Sequence, residues 1–416
     1  LHCGQKAKYT DIDLWRFVPM AVGTPFHSRT EPLCTSLRWK QWSGYFVAVV
    51  YDDFHDPEYH AIRTGAGLID VSPLYKYDIQ GPDAMRLVDR LITRDASKCQ
   101  VGQVLYAAWC DEGGKVIQDG CFQRLAKDQF RASAAEQSLV WFRLNAEGMD
   151  VQIEDVSEKY AALALQGPRS REVLQRIWSK DLSKLGFFRL GTTELSGVPA
   201  VVTRTGYTGD LGYEIWADAA QAEKLWDAVV HAGEGLGLEP AGMVALDRTR
   251  LEAGFPLIDV DFWNAEKVLV EGQKSSPYEI NMGWAVNLKK THFVGKRALA
   301  DEQKKGTERF LVGIEVTFRE IERLYALETL APQLTNEVSR VGVPVYAGGR
   351  QVGKATSSGW STLLKKFIAL ATVDRGYETL GTPLDIEFTV EYVRRRAHAH
   401  VTALPFFDPE RKRSVP

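Results

Sequence analysis

Polar and apolar residues alternate along Tyr75-Lys76-Tyr77-Asp78-Ile79, and Gln80-Gly81-Pro82 breaks the run. That two-residue period predicts a half-buried strand ending in a turn. Met85, Val88, Leu91 and Ile92 follow at helical spacing, with Pro82 near the first turn. The same text returns 86 residues later as Ala162-Leu163-Ala164-Leu165, Gln166-Gly167-Pro168, then Val173, Leu174, Ile177 and Trp178. Strand, Gln-Gly-Pro and helix, written twice, predict two related α+β halves with a cleft between them. Two unrelated strand-to-helix turns would read the same way. Ala222, Leu225, Trp226 and Val229 form a helical stripe within 219–230, and residues 245–253 read as another helix. From about residue 306 short alternating segments take over, at 310–316, 341–346, 367–373 and 384–392, separated by Gly348-Gly349 and Gly381-Thr382-Pro383. They predict a compact β-domain, barrel or sandwich. Residues 1–23 read as a polar extension and 318–340 as a polar, partly helical, long surface insertion. The expected division is therefore 1–23, a paired α+β region over 24–305, and a β-domain over 306–416.

Composition narrows the classes. The chain has 416 residues, 45% hydrophobic and 25% charged, which suits two or three globular domains and excludes a disordered chain. A net charge of −3, from 51 basic and 54 acidic residues, gives no electrostatic case for bulk nucleic-acid binding. No apolar run approaches the ~18 residues of a membrane span. Nothing at the start reads as a signal peptide, and Leu1, not Met, opens the sequence. The five cysteines (Cys3, Cys34, Cys99, Cys110, Cys121) are odd in number and contain no C-x-x-C. A disulfide framework and a zinc site are both disfavoured, and a reducing cytoplasm is the expected compartment. The close pair His398 and His400 sits on an alternating strand after three arginines, so no metal site is expected.

Common catalytic motifs are missing. There is no phosphate-binding P-loop and no G-x-S-x-G, and Gly65-Ala66-Gly67 lacks the rest of a dinucleotide fingerprint. Two hairpins carry more information. The first joins Leu105–Cys110 to Lys115–Asp119 through Asp111-Glu112-Gly113-Gly114. If Cys110 pairs with Lys115, Tyr106 lies opposite Asp119, which then shares a mostly apolar face with Ile117 and Cys121. An acid there needs a partner. A hydrogen-bonded core Asp, or a slipped register, would also fit. The second hairpin joins Val201–Thr205 to Tyr213–Trp216 through Gly206-Tyr207-Thr208-Gly209-Asp210-Leu211-Gly212. Glu214 and Trp216 share one face. A carboxylate beside aromatic rings suits a flat heterocycle with paired N–H donors, and a solvated surface Glu is the plainer alternative.

At these hairpins the sequence resembles the glycine-cleavage T-protein (aminomethyltransferase) superfamily, which also contains tetrahydrofolate-dependent demethylases. Arg204 to Glu214 matches its Arg-Thr-Gly-Tyr-Thr-Gly-x-x-Gly-Tyr-Glu signature. Gly67–Ser72, Leu165–Pro168, Pro240–Gly242, Arg250–Ala253, Phe293–Lys296 and Ile368–Ala371 match in the same order. The resemblance spans about 24–416. It implies a three-lobed α+β fold: two folate-binding lobes and a C-terminal β-barrel. It implies tetrahydrofolate as cofactor, with Asp119 as the catalytic acid near its reactive nitrogens. Tyr106, Tyr207, Glu214 and Arg204 are the cofactor-binding candidates by the same resemblance.

Departures from the family pattern shape the functional expectation. Gln118 stands where the family has a first Asp, Pro73-Leu74 replaces His-Met, and Ala245-Leu246-Asp247 replaces Ala-Arg-Asp. Extra residues occur near 263–275 and 318–340. The expectation is a demethylase that moves a methyl group from a small methylated O-, N- or S-compound to N5 of tetrahydrofolate. Gln118, Leu74, Tyr75 and Trp360 are its substrate-side candidates. A lipoyl carrier protein, a nucleic acid and a membrane are not expected partners, and homo-oligomerisation is left open. The alternatives are glycine-cleavage aminomethyl transfer and folate binding without turnover.

Overall fold

The computed structural model describes residues 20–414, so most of the expected 1–23 extension lies outside the described residues. The repeat is visible in the backbone. Gln80 and Gln166 each end a strand, Tyr75–Gln80 and Tyr160–Gln166. The glycine after each has positive φ, 139° at Gly81 and 126° at Gly167. A Cβ would press on a carbonyl oxygen 2.6 Å away at both, so the turn admits only glycine. Helices Ala84–Leu91 and Ser170–Ile177 follow, each burying one stripe. Asp95 and Asp181 then cap matching 3₁₀ turns by accepting from Ser97 N and Ser183 N.

Each repeat builds one sheet. In lobe one the strand order is Val104–Cys110, Val116–Ala126, Gln129–Ala134, Tyr75–Gln80, Gln152–Asp155. In lobe two it is Leu190–Leu195, Val198–Thr203, Gly212–Asp218, Tyr160–Gln166, then Ala66–Asp70 and Leu238–Pro240. The two sheets meet at their first strands. Val104 N bonds Phe188 O, and Leu190 N bonds Gly102 O, each at 2.9 Å. These bonds exchange when residue numbers shift by 86, so a pseudo-twofold axis passes between the lobes. Separate apolar cores fill the two lobes.

The third lobe is a closed barrel of six strands: Arg309–Val316, Lys366–Asp374, Arg350–Ser361, Val343–Ala347, Pro383–Val390 and Val393–Thr402. The segment 318–340 is partly helical as expected, and its 327–340 part runs over the surface, but its helix is not solvent-facing. Helix Phe318–Ala326 buries Ile321, Leu324 and Tyr325 in the barrel core, because an amphipathic stripe gains more by covering the barrel than by facing water. Helix Met243–Glu252 lies among the lobes. Its residues 245–252 are all buried, four of them charged.

Candidate active site

A cavity of about 470 Å³ opens at the centre of the molecule, within the usual range for a small-molecule site. Lobe one contributes Tyr106, Asp119 and Cys121, and lobe two contributes Ala164, Tyr207 and Glu214. Met243, Leu246, Asp247 and Arg250 of the central helix form a further wall, and 256–260 closes it.

Asp119 reaches the cavity by a register other than the expected one. Tyr106 pairs with Cys121, and Asp119 with Ala108. A bulge at Trp109/Cys110 leaves Ile117 as an extra residue, turned into the lobe-one core. The bulge breaks strict alternation, so Asp119 and Ile117 do not share a face. Tyr106 nonetheless reaches its diagonal neighbour, and its hydroxyl donates to Asp119 Oδ2 at 2.5 Å. No ion pair involves Asp119 among the described residues. Burial pushes its carboxyl up to about 6, against the pull of the Tyr106 hydrogen bond. Cys121 beside it is held protonated by burial and by the nearby charges of Glu214 and Asp119.

Glu214 sits on the opposite wall. Thr205 Oγ1 donates to its Oε2 at 2.7 Å and Thr203 Oγ1 at 3.3 Å. Burial raises its carboxyl above the usual range, and the two hydroxyls partly offset this. The expected faces hold: Glu214 opens to the cavity and Trp216 packs beside it, while Tyr213 and Ile215 enter the lobe-two core. The 206–212 connection is wrapped round Gln166, and a Cβ at Gly206 or Gly212 would lie 2.0 or 2.3 Å from that side chain. Tyr207 hangs from this connection. Its hydroxyl donates to Pro256 O at 2.7 Å and its ring stacks on Phe255, centroids 5.5 Å apart.

Several expected site residues lie elsewhere. Arg204 does not line the cavity; it is buried and donates to the carbonyls of Leu185, Arg411, Lys412 and Ser414. Gln118 points under the sheet, where its Oε1 accepts from Asp119 N at 2.8 Å. Tyr75 sits at the edge of the lobe-one core, its hydroxyl accepting from Gln137. Trp360 packs on Phe318 at 5.4 Å against the barrel, because covering the barrel core removes more apolar surface from water than reaching the cavity. Leu74 lines the cavity.

The sequence reading missed the charges at the cavity rim. Arg250 is buried between Asp247, at 2.7 Å, and Asp261, at 2.8 Å. Arg340 Nε bonds the other Asp247 oxygen at 2.8 Å. Lys40 stands near this group, its ammonium pulled down by burial and by the charge of Arg340. A helix written Asp247-Arg248-Thr249-Arg250-Leu251-Glu252 has no apolar stripe, and that was the available signal that it lies between bodies rather than on one. Among the described residues no group of three or more His, Cys, Asp or Glu could hold a metal ion. No helix among them is long and apolar enough to cross a membrane.

Paired α+β lobes and a barrel, set round a cavity that opens two buried acids, define a class of three-lobed proteins with a small-molecule-sized site at their centre. Comparisons with known proteins give the family. Residues 35–290 match the model described as GCVT N-terminal domain, and residues 323–408 match the glycine cleavage T-protein C-terminal barrel domain. The aminomethyltransferase of Caldanaerobacter subterraneus subsp. tengcongensis is 34% identical over 350 residues, covering 83% of this chain and 86% of that protein. The aminomethyltransferase of Bacillus mycoides is 34% identical over 372 residues, covering 88% and 93%. A solved glycine cleavage system aminomethyltransferase T from Bartonella henselae shares the fold, with TM-score 0.77 at 23% identity over 93% of this chain and 98% of that one. The chain belongs to the glycine-cleavage T-protein family.

Proposed function

We propose that this protein is a tetrahydrofolate-dependent one-carbon transferase working by aminomethyl transfer of the glycine-cleavage type. The carrying observation is that Asp119 and Glu214, two acids without cation partners, open into one cavity whose arginines, Arg250 and Arg340, are paired with other carboxylates. A reduced folate fits that arrangement: an N–H-rich ring for the acids, a flat face for Tyr207, and a carboxylate tail for Lys40 and Arg340. When bound it supplies the nitrogen that accepts the one-carbon unit. Glu214 Oε1, free of the threonine hydroxyls, accepts ring N–H groups, and Tyr207 walls the ring. Asp119 holds or receives a proton at its carboxylate while Tyr106 fixes its orientation. A carboxyl at about 6 is ionised, yet basic enough to take a proton, at neutral pH.

The named relatives favour aminomethyl transfer over the demethylase reading that the sequence put first, and they bring a lipoyl carrier protein back as the expected donor. Demethylation stays as the second reading, because Leu74 and Leu246 make the substrate wall apolar. One experiment separates them. The enzyme and tetrahydrofolate are incubated with an aminomethylated lipoyl carrier protein, and in parallel with methylated sulfonium, ammonium and aryl-ether compounds. Ammonia and methylenetetrahydrofolate from the carrier support the proposal. 5-Methyltetrahydrofolate from a methylated compound, with no ammonia from the carrier, replaces it with the second reading. Tight folate binding with no product in either arm leaves a binding protein.

A further inference from the structure

After the last barrel strand the chain crosses back to lobe two, and its final described residues meet the backs of the elements that form the folate wall. Leu404 and Phe406 pack with Leu251 and Leu311, and Phe407 N bonds Glu252 O at 2.8 Å. Arg411 then grips Asp210 with two hydrogen bonds of 2.7 Å, Nε to Oδ1 and Nη2 to Oδ2. Asp210 belongs to the 206–212 connection and its side chain is fully buried. Its other cation is Arg63, 3.7 Å away, which also donates to Thr208 O at 2.9 Å and lies over the Phe407 ring at 4.5 Å. Lys412 Nζ stands 5.1 Å from the centroid of Phe255, the ring that stacks on Tyr207. Arg204, at the root of the same connection, has only carbonyl partners, and three of them, on Arg411, Lys412 and Ser414, come from this tail.

The connection has no sheet ladder of its own between Thr203 and Gly212. With three glycines in seven residues it is entropically loose by itself. Its shape is set from both sides: Gln166 and Arg63 within lobe two, and the tail outside. Withdrawing the tail would leave the buried Arg204 guanidinium with Leu185 O alone, and Asp210 with the Leu211 amide at 2.7 Å and Arg63 at 3.7 Å as its only cation. Buried charges are not left half-paired without local rearrangement.

We propose that residues 404–414 are a latch that holds the 206–212 connection in its folate-binding shape, with Arg411 as the positioning residue that acts through Asp210 on Tyr207. The proposal rests on the folate reading only for the identity of the bound molecule. Arg411→Ala, Arg411→Lys and Lys412→Ala are made in the full chain. Hydrogen exchange of the 205–212 amides and calorimetric titration with tetrahydrofolate are then compared with wild type. For Arg411→Ala, exchange accelerates in 205–212 while Tyr160–Gln166 stays protected, and tetrahydrofolate binds about tenfold more weakly because the wall is no longer pre-positioned. Arg411→Lys, which keeps the charge but not the paired geometry, falls between. Lys412→Ala leaves Asp210 gripped and removes the Phe255 contact together with the Asp408 pair within the tail, with a smaller loss of affinity. A folded Arg411→Ala with wild-type exchange and wild-type affinity overturns the latch, as does faster exchange spread evenly over the chain with affinity unchanged. Wild-type protein that binds no tetrahydrofolate ends the folate reading, and the exchange comparison still decides the latch.

Discussion

The first four strands of each lobe stand in the same order, yet one equivalent position does opposite work in them. In lobe one Asp78 pairs with Arg131 across neighbouring strands. The residues 86 and 83 positions on, Ala164 and Glu214, pair across the matching strands of lobe two. Lobe one fills this place with an ion pair, Arg131 Nε to Asp78 Oδ1 at 2.6 Å, capped by the Tyr160 ring 3.6 Å from the guanidinium carbon. Lobe two has alanine in place of the acid and puts a glutamate where the arginine stood, so Glu214 faces the cavity with no charge opposite it. A duplicated scaffold becomes a site where a charge is left without its countercharge. Local stability is given up there, and a demand for a ligand is created in its place.

That contrast can be attacked at several strengths. The largest effect is expected at Asp119, where Asp119→Asn lowers turnover about 10²–10⁴-fold, the usual worth of acid–base help, while tetrahydrofolate affinity stays near wild type. Steady-state rates beside calorimetric Kd values check it, and full turnover at saturating folate would remove the acid from the reaction. Next, Arg131→Ala leaves Asp78 with a lost partner and lowers stability by about 3–5 kcal/mol, with the folate Kd unchanged for the protein that remains folded. Urea melts and titration read the two separately. Third, Glu214→Ala does the reverse, weakening tetrahydrofolate about 10–100-fold with little loss of stability. If Glu214→Ala unfolds the protein while Arg131→Ala abolishes binding, the contrast between lobes is inverted.

Two smaller effects sharpen it. The Asp119 carboxyl titrates at about 6 in the fold against 3.8 when unperturbed. The folded state therefore holds this proton more tightly than the unfolded chain, and stability from this group falls as pH rises from about 4 to about 6. Asp119→Asn should melt higher than wild type at pH 8, by about 1–3 kcal/mol, and show no such gain at pH 4. The rate of the wild-type enzyme should climb through about pH 6 to a plateau, since the acid must be ionised to take a proton. Last, Lys40→Ala with Arg340→Ala should weaken tetrahydrofolate a few-fold at low salt and leave a tail-less tetrahydropterin untouched, because exposed charge pairs are worth about 0.2–1 kcal/mol. Equal losses for both ligands would place the tail elsewhere.

Local pattern alone determined much of this protein. Period-two and period-3.6 stretches, the paired Gln-Gly-Pro turns and the glycine-rich connection wrote out the two lobes, the β-domain, and Asp119, Tyr106 and Glu214 as residues to watch, since each is a matter of neighbours along the chain; the family resemblance added Tyr207 and the folate roles. Tertiary structure decided the rest. A one-residue bulge set which side chains share Asp119's face. Burial against the barrel seated helix 318–326 as a cap, and drew Trp360 away from the cavity. Contacts between residues 93 to 210 positions apart made Arg204 an anchor for the tail and joined Asp247 to Arg340, with Lys40 near them at the cavity. Charge on a side chain is legible in a sequence; whether another charge stands beside it is settled only when distant segments close on one another.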